Sequence, residues 1–163
     1  MHTPPRMKSF RTLATLALVL LVTPALFAAD FGIRAGQYND LDAADNTFVG
    51  AEMLFDLGAV NLNPNIEYLL DDEITAGSAN LDLTVDIGRF SRVTPYVGAG
   101  VGLWYLDDDF GDNTTDLLGN LIGGVQFDLD FLEPYAQVKY FRVLDDEDGG
   151  GGDDLAFTVG LRF

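Results

Sequence analysis

The chain has 163 residues, a formal net charge of −17 and no cysteine. This acidic balance argues against nucleic-acid binding, because carboxylates and phosphates repel each other. Disulfides cannot stabilise the fold, and with a single histidine, His2, near the amino terminus there is no cysteine and histidine framework for a metal. We therefore expect no cofactor.

Residues 1–29 have the order of a cleavable signal peptide. A basic stretch at 7–11 precedes an apolar run at 13–22, and a proline followed by small residues occupies 24–29. The alternative is a retained anchor, since the uncharged stretch 12–29 is near the lower length limit of a transmembrane helix. Cleavage leaves one domain, residues 30–163, in which the loss of three basic residues leaves six against 26 acidic ones.

From residue 30 onward, apolar residues recur at every second position, which predicts strands with one apolar face and one small or polar face. The eight alternating segments are 31–38, 48–57, 60–70, 80–89, 95–106, 117–129, 134–144 and 155–163. Ile122 and Gly123 break the alternation in the sixth segment. Pro64 predicts a bulge or local irregularity in the third, because proline lacks a backbone donor.

The lengths of the connections indicate which face points outward. Connections of about ten residues follow the odd-numbered segments, and turns of two to five residues follow the even-numbered ones. Outer-membrane barrels have this alternation of long external loops and short periplasmic turns, with both termini periplasmic. We therefore predict an all-β fold, an eight-stranded antiparallel up-and-down transmembrane β-barrel in the bacterial outer membrane. A soluble sandwich or lipocalin-like barrel is the alternative.

The four long connections hold 17 of the 26 acidic residues. Clustered carboxylates suit Ca²⁺ or Mg²⁺, although neither main cluster has the spacing of an EF-hand. The alternative is that these loops are solvated and bind no cation. The candidate ligands are Asp107, Asp108, Asp109, Asp112, Asp145, Asp146, Glu147 and Asp148.

The polar face of the strands provides a second candidate site. An eight-stranded barrel is just wide enough for side chains to fill it, and charges in such an interior need partners. We predict a packed ion-pair network, against the alternative of a narrow channel or transporter for small solutes. Its predicted members are Arg34, Glu52, Glu67, Asp82, Asp86, Lys139 and Arg162. The mature chain has no histidine to activate a hydroxyl, so we predict no enzymatic activity and no catalytic residues.

The glycine-rich segment 95–102, the leader and the terminal strand resemble the small outer-membrane β-barrel proteins of the opacity, OmpA-like and OmpX-like kind. This resemblance implies that the last strand is a recognition signal for the barrel-assembly machinery, carried by Phe157, Val159, Leu161 and Phe163. We expect a monomer that contacts outer-membrane lipid and lipopolysaccharide. Its expected role is structural, adhesive or surface-interacting, with host or surface ligands as candidate partners of the acidic loops.

Overall fold

The computed structural model describes residues 29–39, 46–71, 74–108, 113–144 and 152–163. The strands are β1 (Ala29–Tyr38), β2 (Thr47–Asp56), β3 (Asn61–Leu69), β4 (Ile74–Asp86), β5 (Val93–Asp108), β6 (Asn113–Phe127), β7 (Glu133–Val143) and β8 (Asp153–Arg162). Each strand pairs antiparallel with the next, and β8 pairs with β1 to close the barrel. The predicted eight-stranded up-and-down barrel is confirmed. Residues 1–28, which hold nearly all of the predicted signal peptide, lie outside the described part of the chain.

Three strands extend further toward the long connections than the apolar alternation predicts. β4 begins at Ile74, so most of the predicted loop 71–79 is strand. β5 and β6 likewise continue into the predicted loop 107–116. The reason is that the backbone ladder continues without a break, from Val93↔Phe127 to Asp107↔Asn113, although the side chains there become polar. Backbone pairing thus extends the sheet beyond the apolar segments.

Apolar side chains lie on the outside of the barrel. Ile33 is 59% exposed, Ile66 60%, Leu121 60% and Val159 62%. The prediction that the apolar face points outward is confirmed. Ile122 is an apolar residue on the inner face, where its side chain is 5% exposed. The strand therefore alternates regularly between inner and outer faces, although the apolar pattern of the sequence does not.

Pro64 interrupts the pairing of β2 with β3 without shifting it. The register is the same on both sides of the proline, and only two pairs are missing. The backbone donor that Pro64 lacks would face the Met53 carbonyl, and the side chain of Asn63 donates from Nδ2 to that oxygen at 3.0 Å instead. The sequence left open a bulge or a local irregularity, and the structure has the second.

An apolar cluster fills the interior at the end of the barrel that carries the long connections. The ring of Tyr38 lies 4.8 Å from that of Phe48, 5.4 Å from that of Trp104 and 5.6 Å from that of Phe141, measured between centroids. The buried members are Tyr38, Phe48, Leu69, Ala76, Leu118, Phe141 and Ala156, with Trp104, Leu106 and Val143 packed against them. We call these ten residues the apolar cap. No helix among the described residues is long and apolar enough to cross a membrane.

Candidate functional site in the barrel interior

Six of the seven charged residues predicted for the interior lie there, each between 1% and 6% exposed. Three are positive and three negative, so this group is formally neutral. We call it the interior ion network, and its members are Arg34, Glu52, Glu67, Asp82, Lys139 and Arg162.

Glu52 on β2 pairs with two arginines, one on the adjacent strand β1 and one on β8, the next strand beyond it. Arg162 donates from Nε to Glu52 Oε1 at 2.7 Å, and Arg34 Nη1 lies 3.4 Å from Oε2. Asn63 donates from Nδ2 to the same Oε2 at 3.2 Å. One carboxylate therefore joins strands β1, β2, β3 and β8.

Glu67 and Asp82 share Lys139. The Lys139 ammonium lies 3.6 Å from Glu67 Oε1 and 3.2 Å from Asp82 Oδ2. Glu67 also accepts hydrogen bonds from the Tyr38 hydroxyl at 2.7 Å and the Ser78 hydroxyl at 3.1 Å. The tyrosine belongs to the apolar cap, so this bond connects the cap to the ion network.

Buried ion pairs of this kind contribute little net stability, because desolvation of the two charges offsets their attraction. Removing one partner is far more costly, about 3–5 kcal/mol, because the other charge is then buried alone. A strand arrangement that separated these residues would leave buried charges unpaired and would carry this cost.

Glycines on intervening strands allow the partners to meet. Arg34 on β1 and Glu67 on β3 are both cross-strand neighbours of Gly50 on β2. The Arg34 guanidinium passes over Gly50, and its Nη2 lies 3.1 Å from Glu67 Oε1. A Cβ at position 50 would lie 3.0 Å from Arg34 Cγ and closer still to the backbone of β3. The same arrangement recurs at Gly32, Gly100 and Gly124.

The glycine-rich segment of β5 has the same role. Gly100 lies between Asp82 on β4 and Asn120 on β6, and the Asn120 amide donates to Asp82 Oδ1 at 3.1 Å across it. A Cβ at position 100 would lie 2.7 Å from the carbonyl oxygen of Leu81 and 2.9 Å from the Cα of Asp82. The motif that carried the sequence resemblance therefore provides the space in which β4 and β6 form side-chain bonds.

The prediction that Asp86 belongs to the network is wrong. Asp86 lies at the turn end of β4, where its side chain is exposed, and its Oδ1 accepts a 3.4 Å hydrogen bond from Asn61. It points to the same side of the strand as Asp82, which is 1% exposed. Alternation predicts which face of the strand a side chain lies on, but not whether its position along the strand is in the buried middle or at the exposed end of the barrel.

Several interior polar residues were not singled out from the sequence. Tyr96 donates to Gln137 Oε1 at 3.1 Å, and the guanidinium of Arg162 lies 4.1 Å from the ring centroid of Tyr135. Asn80 donates to Asn65 Oδ1 at 3.2 Å. Strand parity was the available signal, because each of these side chains has the parity of a predicted inward residue on its strand.

The acidic candidates of the long connections fall outside the described side chains. Asp107 and Asp108 belong to β5 by backbone only, and the other six lie in undescribed stretches. Among the residues that the structure describes, no group of three or more potential ligands could hold a metal ion. Cation binding by these loops stays a prediction.

The four residues of the expected assembly signal lie on the outer face of the last strand and at its end. Phe157, Val159 and Phe163 are exposed and Leu161 is half-buried. The backbone of Phe163 exchanges two hydrogen bonds with Phe31, at 2.9 and 3.1 Å, which completes closure at this end. Their role in recognition stays a prediction.

No protein-family model matches the chain, and no curated protein matches it in sequence. The structure is similar to the N-terminal β-barrel domain of Pseudomonas aeruginosa OprF, at 16% identity over 83% of this chain and 96% of that chain, with a TM-score of 0.65. It is similar to Neisserial surface protein A, at 14% identity over 82% and 94%, with a TM-score of 0.66. The fold is that of the small outer-membrane β-barrels. The Yersinia pestis attachment invasion locus protein Ail, solved with sucrose octasulfate, also matches, at 14% identity over 83% and 97%, with a TM-score of 0.50. The resemblance inferred from the sequence is confirmed at the level of the fold.

Proposed function

We propose that the chain is an outer-membrane β-barrel protein with a structural, adhesive or surface-interaction role. Its long acidic connections would face the exterior and both termini the periplasm. The observation that carries this proposal is the inverted distribution of side chains, with large apolar residues exposed outside and six charged residues buried inside. In water such an exterior would be an extensive exposed hydrophobic surface that promotes aggregation, whereas in a bilayer it contacts acyl chains.

Aromatic residues at both ends of the barrel support a membrane location. Membrane barrels carry aromatic girdles at the two interfaces of an apolar band. At the end with the short turns, the exposed aromatic residues are Phe31, Phe90, Phe131 and Phe163. At the end with the long connections, they include Tyr68 and Tyr105. Arg142 faces outward near the loop end, where a positive charge can reach lipid phosphates, including those of lipopolysaccharide.

A filled interior favours this role over solute transport. The ion network occupies the middle of the lumen, and the apolar cap fills its loop end. A narrow channel would need a continuous hydrated path between these side chains. We therefore expect no stable single-channel conductance from the refolded protein in planar bilayers, and a reproducible open pore would count against a closed lumen.

Two arginine substitutions test the membrane location. Val101 is 52% exposed near the middle of β5, and Leu57 is 61% exposed in the first short turn. In a bilayer, Val101→Arg should cost about 2–4 kcal/mol and Leu57→Arg about 0–1 kcal/mol, because the penalty depends on depth. In a soluble barrel both exposed sites should change stability by less than about 0.5 kcal/mol.

The measurement is urea unfolding of both variants in lipid vesicles, together with cell fractionation and a heat-modifiability gel for the wild type. A compact, heat-modifiable band in the outer-membrane fraction supports the proposal. Equal effects of the two arginines, or a soluble periplasmic product, would contradict it.

We also propose that the acidic connections bind divalent cations or surface ligands. The density of carboxylates in residues 107–112 and 145–148 supports this. Calorimetric titration of Ca²⁺ into the wild type and into an Asp107→Asn, Asp108→Asn, Asp109→Asn variant tests the cation. A saturable heat that the variant loses is the expected result, and equal, negligible heats would end the idea.

A further inference from the structure

A small cavity lies between the apolar cap and the ion network. Its volume is about 10 Å³, and its wall combines the rings of Trp104 and Phe141 with the polar groups of Glu67, Asn120 and Lys139. This volume is at the lower limit for a single water molecule, which also needs two to four polar partners.

Two residues that line the cavity each have a buried acceptor without a hydrogen-bond donor in the structure. They are Glu67 Oε1 and Asn120 Oδ1. Glu67 Oε1 lies 3.1 Å from Arg34 Nη2 and 3.6 Å from Lys139 Nζ, as ion pairs without hydrogen-bond geometry. A buried acceptor without a donor is unfavourable, so a donor placed beside these two oxygen atoms stabilises the structure.

The orientation of the Asn120 amide is set by its other bonds. Its Nδ2 donates to Asn80 Oδ1 at 3.2 Å and to Asp82 Oδ1 at 3.1 Å, and both of these oxygens are acceptors. Exchanging the amide oxygen and nitrogen would place an acceptor against two acceptors. The Asn120 oxygen is therefore the atom that needs a donor.

Lys139 supplies the complementary group. An ammonium has three donors, and Lys139 Nζ donates to Asn65 Oδ1 at 3.4 Å and lies 3.2 Å from Asp82 Oδ2 as an ion pair. Its remaining donor capacity faces the two ion-pair partners, Asp82 and Glu67, and a water beside Glu67 Oε1 can accept from it. The site thus presents two acceptors and one donor.

We propose that one structural water molecule occupies this cavity, donating to Glu67 Oε1 and Asn120 Oδ1 and accepting from Lys139 Nζ. Water is the occupant that matches the chemistry, because it alone both donates twice and accepts. A cation would add charge to a network that already balances three positive and three negative groups, and a chloride ion would face two acceptors. The water joins the cap to the network and completes the closed lumen.

A crystal structure of the wild-type barrel at about 1.6 Å or better, with separate Rb⁺ and Br⁻ soaks, tests the proposal. The expected result is one peak within about 2.7–3.2 Å of all three atoms, without anomalous signal in either soak. An anomalous peak at this position would replace the water with an ion. An empty cavity in a map that resolves other buried waters would also overturn the proposal.

A solution measurement provides an independent test. In detergent micelles, the Asn120 side-chain amide protons should show an NOE to water that persists on the timescale of a long-lived bound molecule. The exposed amide of Gln37, on the outer face of β1, is the control and should show only rapid exchange. Absence of a long-lived water NOE at Asn120 would contradict the proposal.

Discussion

Two adjacent glycines of β6 should respond in opposite directions to the same substitution. Gly124 faces the interior between Tyr96 and Gln137, and the Tyr96 hydroxyl donates to Gln137 Oε1 at 3.1 Å across it. Gly123 faces outward, and a Cβ there would meet no heavy atom within 4 Å. Comparing the two variants therefore separates the effect of a side chain that points into the barrel from the effect of replacing glycine with alanine.

The structure sets the size of each change. A Cβ at Gly124 would lie 2.5 Å from the Tyr96 hydroxyl oxygen and 2.9 Å from the carbonyl oxygen of Ala136. Overpacking costs about 1–3 kcal/mol and a buried hydroxyl left unpaired about 1–3 kcal/mol, so Gly124→Ala should lower the free energy of unfolding by about 2–6 kcal/mol. Gly123→Ala removes only the entropic cost of glycine within a strand, and should raise it by about 0.5–1 kcal/mol.

Equilibrium urea unfolding in detergent micelles measures both values. Trp104, the single tryptophan, is a suitable fluorescent reporter because it belongs to the apolar cap and lies toward the opposite end of the barrel from Gly124. Changes of the same sign at the two positions would refute the assignment of faces. A neutral Gly124→Ala would show that Tyr96 can move, and that glycine there is not needed for the bond it spans.

Two further comparisons address other bonds of the interior. Tyr38→Phe removes a buried hydrogen bond to the Glu67 carboxylate and should lower the free energy of unfolding by about 1.5–3 kcal/mol. Tyr68→Phe, on the exposed outer face, is the control and should change it by less than about 0.5 kcal/mol in the same urea experiment. Equal losses for the two variants would contradict the importance of the buried bond. Asn63→Ala should be destabilising because it leaves the Met53 carbonyl, opposite Pro64, without a donor. Adding Pro64→Ala should reduce that loss by about 1 kcal/mol, because it restores a backbone N–H. Additive effects in the double-mutant cycle would rule out this exchange of donors.

The fold could be predicted because its determinants are local and repeated. Alternation with period two identifies the strands, and the alternating lengths of the connections give the direction of the apolar face. The ends of the strands were less predictable. The backbone ladder continues through polar residues such as Thr75 and Thr114, whose side chains carry no apolar signal. Ser78 and Asn80 lay in or beside a predicted loop for this reason, although both belong to the interior.

The interior pairs could not be predicted from alternation alone. Alternation places Asp82 and Asp86 on the same face of β4, but one is buried beside Lys139 and the other is exposed at the turn. Which residues meet depends on the stagger between strands, and stagger follows from pairing across the whole sheet. Inward glycines are the signal that was missed, because they mark where partners two strands apart come into contact.

This role of glycine also explains how the first and last strands, β1 and β8, pair in the correct register. Glu52 and Arg162 are 110 residues apart in sequence and meet across Gly32, where a Cβ would lie 2.8 Å from Glu52 Cγ and 3.1 Å from Arg162 Cγ. Their bond spans the junction of β8 with β1, so it cannot form until the barrel closes. A slip of one residue at that junction would turn Arg162 toward lipid, and a slip of two would separate it from Glu52. Either error leaves a charge without its partner, which penalises incorrect closure by about 3–5 kcal/mol. Arg162 therefore contributes to the correct register of closure, in addition to filling the interior.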